Sequence, residues 1–219
     1  MPDQVPRLSF GDTSIGSLFA AVRNAHPHAC PAPDWTRLED AAASRADDLV
    51  RAHRDMAADA PAQQWLRTCS TVLAAYRALV EIVDGPRLVA LFLDAMSTPF
   101  RERIPSYLES RFGIAEDAPQ DAFARISENF KARGEQRFGR AFRYSSDVRD
   151  ASRNFVNIER CFFNDFFRRN DARELTAIFC ALDKVWAEEL ARPRYGVRFD
   201  RPTTLANDDD ACRFQFSKS

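Results

Sequence analysis

Cys161, Cys180 and Cys212 punctuate the last third of the chain, and a thiol can pack, ligate a metal or attack an electrophilic carbon. In Phe-Cys-Ala-Leu-Asp-Lys, Cys180 stands three residues before Asp183 and four before Lys184, so a helix there projects all three from one face. Cys161 closes Asn-Ile-Glu-Arg-Cys, where a strand yields to a helix. In a helical first turn, backbone N–H groups would favour its thiolate, which makes Cys161 the strongest local candidate for a nucleophile. A free thiol is only a few per cent ionised near neutral pH, so a catalytic one needs a depressed pKa or a base. His26, His28 and His53 all lie far from these segments, and Asp183 or a coordinated water is the nearer proton handler. The competing reading is plain packing: a cysteine among Phe, Ile and Leu is usually a small buried hydrophobe, and an aspartate on a helix is usually solvated.

Other chemistries find less support. The cysteines are separated by 18 and 31 residues, without the close pairs of structural zinc, and His26-Pro-His28-Ala-Cys30 reads as a proline-broken loop. No cofactor is called for, though spacing alone leaves a metal open. The sequence has no dinucleotide or phosphate-binding glycine loop, no Gly-x-Ser-x-Gly and no His-Glu-x-x-His. Eighteen phenylalanines, Phe162-Phe163 and Phe166-Phe167 among them, read as core or pocket wall.

The elements that must position these groups fall into two halves. Residues 1–14, with Pro2, Pro6 and Gly11, read as a flexible arm. Residues 15–135 carry helical spacing: Ile15, Leu18, Phe19 and Val22 make one face, and Asp34 is an N-cap for a helix to about Ala58. Trp65 to Val83 give a helix over 62–83, stopped by Gly85 and followed by one starting at Pro86. Interruptions follow near Pro99 and Pro105, then a helix from about Pro119 to Gly134. Residues 136–219 make the second lobe, and after Gly139 the period changes from about 3.6 to 2. Phe142 and Tyr144, then Phe155 to Cys161, alternate as strands around a turn within Ser145–Ser152; two helices follow, then strands over 196–200 and 212–216. The order β-β-α-α-β-β predicts a small antiparallel sheet with helices on one face. The class is α+β, with the helical lobe packed on the sheet as one unit.

A formal net charge of −1, from 31 basic and 32 acidic residues, offers no basic stripe, so neither nucleic acid nor a membrane is an expected partner. No apolar run reaches the roughly 18 residues of a membrane span, and the first residues lack the layout of a secretion signal, so a cytoplasmic protein with reduced thiols is expected. A small molecule is the expected partner, and a homo-oligomer stays open.

Arg153-Asn-Phe-Val-Asn-Ile-Glu-Arg-Cys161, Arg201-Pro-Thr-Thr-Leu205 and Cys212-Arg-Phe-Gln-Phe216 resemble the L-2-amino-thiazoline-4-carboxylic acid hydrolase family, a likeness running from about Ala74 to Phe216. It falls on Asn157, Cys161, Cys180, Asp183, Thr204 and Cys212. The family's turn after Thr-Leu holds a glycine, where this chain has Ala206-Asn-Asp-Asp-Asp210. The resemblance implies a cytosolic hydrolase that opens a cyclic isothiourea by adding water at the amidine carbon, giving a carbamoyl-cysteine. On that reading Cys161, or a water activated by Asp183, attacks. Cys180 is a further catalytic candidate; Asn157 and Thr204 bond the tetrahedral centre, Arg160 or Arg201 holds the carboxylate, and Cys212 lines the site. A small-molecule-binding or sensory module, or related heterocycle chemistry in a natural-product pathway, are the alternatives the same segments allow.

Overall fold

Aspartates and one serine set where the first helices begin. In the computed structural model, which describes residues 13–27 and 34–219, the side chains of Ser14, Asp34, Asp59 and Asp84 each accept a backbone N–H three residues on. They open α1 (Ile15–Ala25), α2 (Trp35–Ala52), α3 (Ala60–Leu79) and α4 (Gly85–Arg101). The arm expected over residues 1–14 lies almost wholly outside the described residues, as do His28 and Cys30.

Several boundaries differ from the sequence reading: the helix expected to about Ala58 ends at Ala52, before a 3₁₀ turn over Arg54–Met56, and the helix expected to about Gly134 runs on to Phe138. The helix expected over 62–83 ends at Leu79, and Gly85 does not stop it; with Asp84 as cap, Gly85 is the first residue of α4. Pro99 sits inside α4, which continues to Arg101. Pro105 falls in the first turn of α5 (Ile104–Phe112), where a missing N–H leaves no helical bond unmade. Gly113 ends α5 at φ +77, a left-handed conformation that suits glycine, and its N–H donates to the Glu109 carbonyl at 2.7 Å. A 3₁₀ turn over Pro119–Asp121 leads into α6 (Ala122–Phe138).

Then β1 (Arg143–Arg149) and β2 (Arg153–Arg160) form a hairpin, α7 (Phe162–Arg169) and α8 (Thr176–Leu190) follow, and β3 (Val197–Asp200) and β4 (Cys212–Lys218) complete an antiparallel sheet ordered β1-β2-β4-β3. The class is α+β. The hairpin turn is shorter than expected: Ser145 to Arg149 stay in the strand, and only residues 150–152 turn, because the Asp150 carboxylate accepts the amides of Ser152 (2.9 Å) and Arg153 (2.8 Å).

α6 lies across β1, β2 and β4, while α8 contacts β3, α4 and α5. Trp186 on α8 packs against Phe112 and Phe199, each at 5.2 Å between centroids, and Phe130 on α6 packs against Phe214 (5.2 Å) and Phe216 (5.0 Å). Cys212, Phe214 and Phe216 are all buried, as their alternation predicts. Each large apolar side chain so buried stabilises the fold by about 1.5–3 kcal/mol before conformational entropy is counted. Among the described residues no helix is long and apolar enough to cross a membrane.

Candidate active site

Between α5, α6, α8 and the sheet lies an internal cavity of about 50 Å³. α8 contributes Cys180, Asp183 and Trp186 from one face, as three- and four-residue spacing dictates. α5 contributes Tyr107 and Arg111, β1 contributes Tyr144, Cys161 enters where β2 ends, Arg201 follows directly on β3, and Cys212 opens β4.

Asp183 is the centre of the polar contacts. Arg201 donates from Nη1 to Asp183 Oδ2 at 2.8 Å, and the Trp186 indole N–H donates to Oδ1 at 3.1 Å. Arg201 also donates to the Cys180 carbonyl at 3.0 Å and lies 5.5 Å over the Phe214 ring. Desolvation of the carboxylate outweighs the opposing pull of Arg201, the indole N–H and Arg111, so the Asp183 carboxyl titrates above its ordinary value of 3.8. Such a group accepts a proton more readily than a solvated aspartate, which suits a general base.

Desolvation shifts the thiols in the same direction, which for a thiol means staying protonated. Burial, reinforced by the charge of Asp183, pushes Cys180 up to about 12, and burial raises Cys161 and Cys212 as well. Cys161 does sit at the N-cap of α7, and the amides of Asn164 and Phe163 favour its thiolate, but loss of solvent outweighs them. All three rest as neutral thiols near neutral pH. The four described cysteines are free, and among the described residues no group of three or more His, Cys, Asp or Glu is placed to hold a metal ion.

Five of the residues singled out in the sequence, Cys161, Cys180, Asp183, Arg201 and Cys212, therefore meet at one cavity. Thr204 does not line it. It lines an outer groove of about 740 Å³ with Lys184, and Cys180 and Arg201 face both spaces. Lys184 is one residue beyond Asp183, so the helix turns it outward. Asn157 and Arg160 stand apart from the cavity. Val156 and Ile158 face the interior, so Asn157 between them points to the other side of the sheet, and Arg160 is exposed and paired with Asp165 at 3.1 Å. In the divergent turn, Asp208 adopts the left-handed φ of +65 and is paired with Arg168 and Arg173.

Arg111, Tyr107 and Tyr144 escaped the sequence reading. Arg111 is 3% exposed, donates to the Phe130 carbonyl at 2.7 Å and lies 4.6 Å over the Phe130 ring. The Tyr144 hydroxyl is buried with no hydrogen-bond partner. Gly134 on α6 permits this packing, since a Cβ there would stand 2.9 Å from Tyr144 Cζ and 3.0 Å from Arg111 Nη2. Gly→Ala in a helix ordinarily stabilises by up to about 1 kcal/mol. Gly134→Ala is expected to do the reverse, lowering stability by about 1–3 kcal/mol through overpacking. Thermal unfolding of the variant beside the wild type measures the sign.

Fold and cavity together define the class: an α+β protein in which Asp183, Arg111, Arg201, two tyrosines and three thiols are gathered around an interior space. The sequence that builds this space, residues 64–216, matches the model of the L-2-amino-thiazoline-4-carboxylic acid hydrolase family, and the chain belongs to that family. The family name is that of a hydrolase. No curated protein matches the chain significantly.

Proposed function

We propose that the protein hydrolyses a small cyclic amidine or isothiourea that carries a carboxylate, with 2-amino-thiazoline-4-carboxylate as the reference substrate. The single observation that carries this reading is the charge set of the cavity: two arginines, Arg111 and Arg201, against one carboxylate, Asp183, around an unpartnered tyrosine hydroxyl. Arg201 is committed to Asp183, so the surplus positive charge belongs to Arg111, which bonds the Phe130 carbonyl and the Tyr107 side chain and keeps further N–H donors of its five. Arg111 is the group that receives the ligand carboxylate, and Asp183 takes a proton from the attacking water.

Water adds its oxygen to the amidine carbon as the C=N π pair moves onto the ring nitrogen, one water proton goes to Asp183, and the carbon becomes tetrahedral. Tyr144 stabilises that centre through its free hydroxyl. Collapse to the carbonyl then breaks a ring bond from that carbon to sulfur or nitrogen; the hydroxyl proton passes to the ring nitrogen and the Asp183 proton to the departing atom, leaving a carbamoyl-cysteine. The space of about 50 Å³ is smaller than the ~150 Å³ that admits benzene, so a ring enters as Cys180 or Arg201, the wall shared with the groove, moves aside.

Mass spectrometry of the heterocycle after incubation with the protein tests this. The expected product is heavier by one water; saturable binding with no mass change would favour a sensory module instead. Because the thiols are neutral, Cys161→Ala and Cys180→Ala are each expected to keep turnover within about tenfold of wild type, far short of the loss a covalent nucleophile shows. Loss of all turnover in either variant, with folding intact, would restore the thiol as nucleophile.

A further inference from the structure

A second cavity, of about 140 Å³, lies between α6 and the β1–β2 hairpin and shares no lining residue with the catalytic one. Its walls are one face of α6, from Ser127 to Glu135, and Ser146, Arg149, Asn154 and Val156 of the hairpin.

Two of its lining residues carry buried, unsatisfied polar atoms. Asn154 is only 3% exposed and its Nδ2 has no hydrogen-bond partner, and neither has the buried Ser127 Oγ. Leaving such a donor unpaired costs about 1–3 kcal/mol, so a pair of them at one cavity calls for a partner. The backbone supplies a second, independent sign. The β1–β2 register steps from Ser146↔Val156 to Val148↔Phe155, leaving Asp147 as a bulge, and then Arg149 pairs with Asn154. Without the bulge, alternation would bring the apolar Val148 over this space; with it, Arg149 faces the cavity beside Asn154.

The charges select the occupant. On α6, Glu128 is paired with Arg125 and Glu135 with Lys131, whereas Arg149 has no ion pair among the described residues. The unused groups are thus one guanidinium, an amide N–H and a hydroxyl, which together suit an anionic oxygen acceptor. A volume near that of a benzene-sized cavity limits it to a handful of heavy atoms. We propose that this cavity binds a small carboxylate, neutralised by Arg149 and bonded by Asn154 and Ser127.

Titration of the full chain with acetate, pyruvate and inorganic phosphate in turn, followed by amide NMR and calorimetry, tests it. Acetate or pyruvate is expected to saturate, shifting amides of α6 and the hairpin. Arg149→Met is expected to weaken that binding at least about tenfold, the scale of one lost charge-assisted contact. Asn154→Leu should act in the same direction, and Asp183→Asn should leave it unchanged. Because Arg149 is exposed, its replacement leaves the core intact and keeps the outcome readable even if the Asn154 variant does not fold. The proposal is overturned if neither carboxylate saturates there and water alone fills the space, if phosphate alone binds, or if Arg149→Met binds as the wild type does.

Discussion

Asp183→Asn is expected to lower kcat/KM by about 10²–10⁴-fold, the range a positioned general base contributes. The substitution keeps the shape of the side chain and an oxygen for the Trp186 N–H, so the loss is one of proton transfer rather than of fold. Two pH profiles separate these. A base must be ionised, so wild-type kcat/KM climbs as pH rises through the Asp183 pKa, which burial holds above the ordinary 3.8, and the residual activity of the variant lacks that rise. Stability runs the other way. A carboxyl whose folded pKa is raised contributes stability that is fully present below the unfolded value and is lost as pH rises through the folded one. The wild type is therefore expected to lose ground to Asp183→Asn across the window that begins near 3.8, with a constant offset from the broken Arg201 pair. Denaturant unfolding at a series of pH values reads this difference; a parallel pair of curves would remove Asp183 from the titration.

The second large effect is expected at Arg201. Its side chain is 9% exposed and that of Asp183 is 27% exposed, an exposure that opens on the cavity. Arg201→Met keeps much of the hydrophobic stem but leaves Asp183 without its cation, and breaking a buried pair from one side costs about 3–5 kcal/mol. Partial access to cavity water puts the expected loss at the lower end, about 3 kcal/mol, or roughly 6–12 °C in Tm for a chain of this size. The Asp183 pKa should rise further, moving the activity profile to higher pH. The double variant Asp183→Asn/Arg201→Met is expected to recover part of the lost stability, since no buried charge then stands alone. An Arg201→Met protein as stable as wild type would mean that the pair does not hold α8 to the segment before β4.

The part of the site carried by α8 and β4 could be read from the chain because regular spacing translates directly into a shared face. Cys180 and Asp183 follow the helical step, and Cys212, Phe214 and Phe216 follow the strand alternation. Asn157 was open to the same test: it alternates with Val156 and Ile158, which are apolar, so it had to face away from them. The arginine that matters most was harder to see. Arg111 lies in Glu-Ser-Arg-Phe, which reads as an ordinary solvated helix surface, and only its four-residue step from Tyr107 hints at a common face. Its burial comes from α6, a helix that crosses α5 at long range and closes on it through Gly134. Glycine inside a helix marks such an approach, but which side chains fill the gap depends on the tertiary fold. Likewise the state of the thiols follows from how much water their neighbours exclude, and local sequence around Cys161 pointed to the opposite ionisation.

The most direct test of the account is a single turnover, with protein in excess over 2-amino-thiazoline-4-carboxylate labelled with ¹³C at the amidine carbon. The labelled signal is followed by NMR and the intact protein by mass. The account predicts that the ring resonance gives way to a carbamoyl resonance while the protein mass stays unchanged. A ring signal that persists, or a protein heavier by the substrate at Cys161, Cys180 or Cys212, would contradict it.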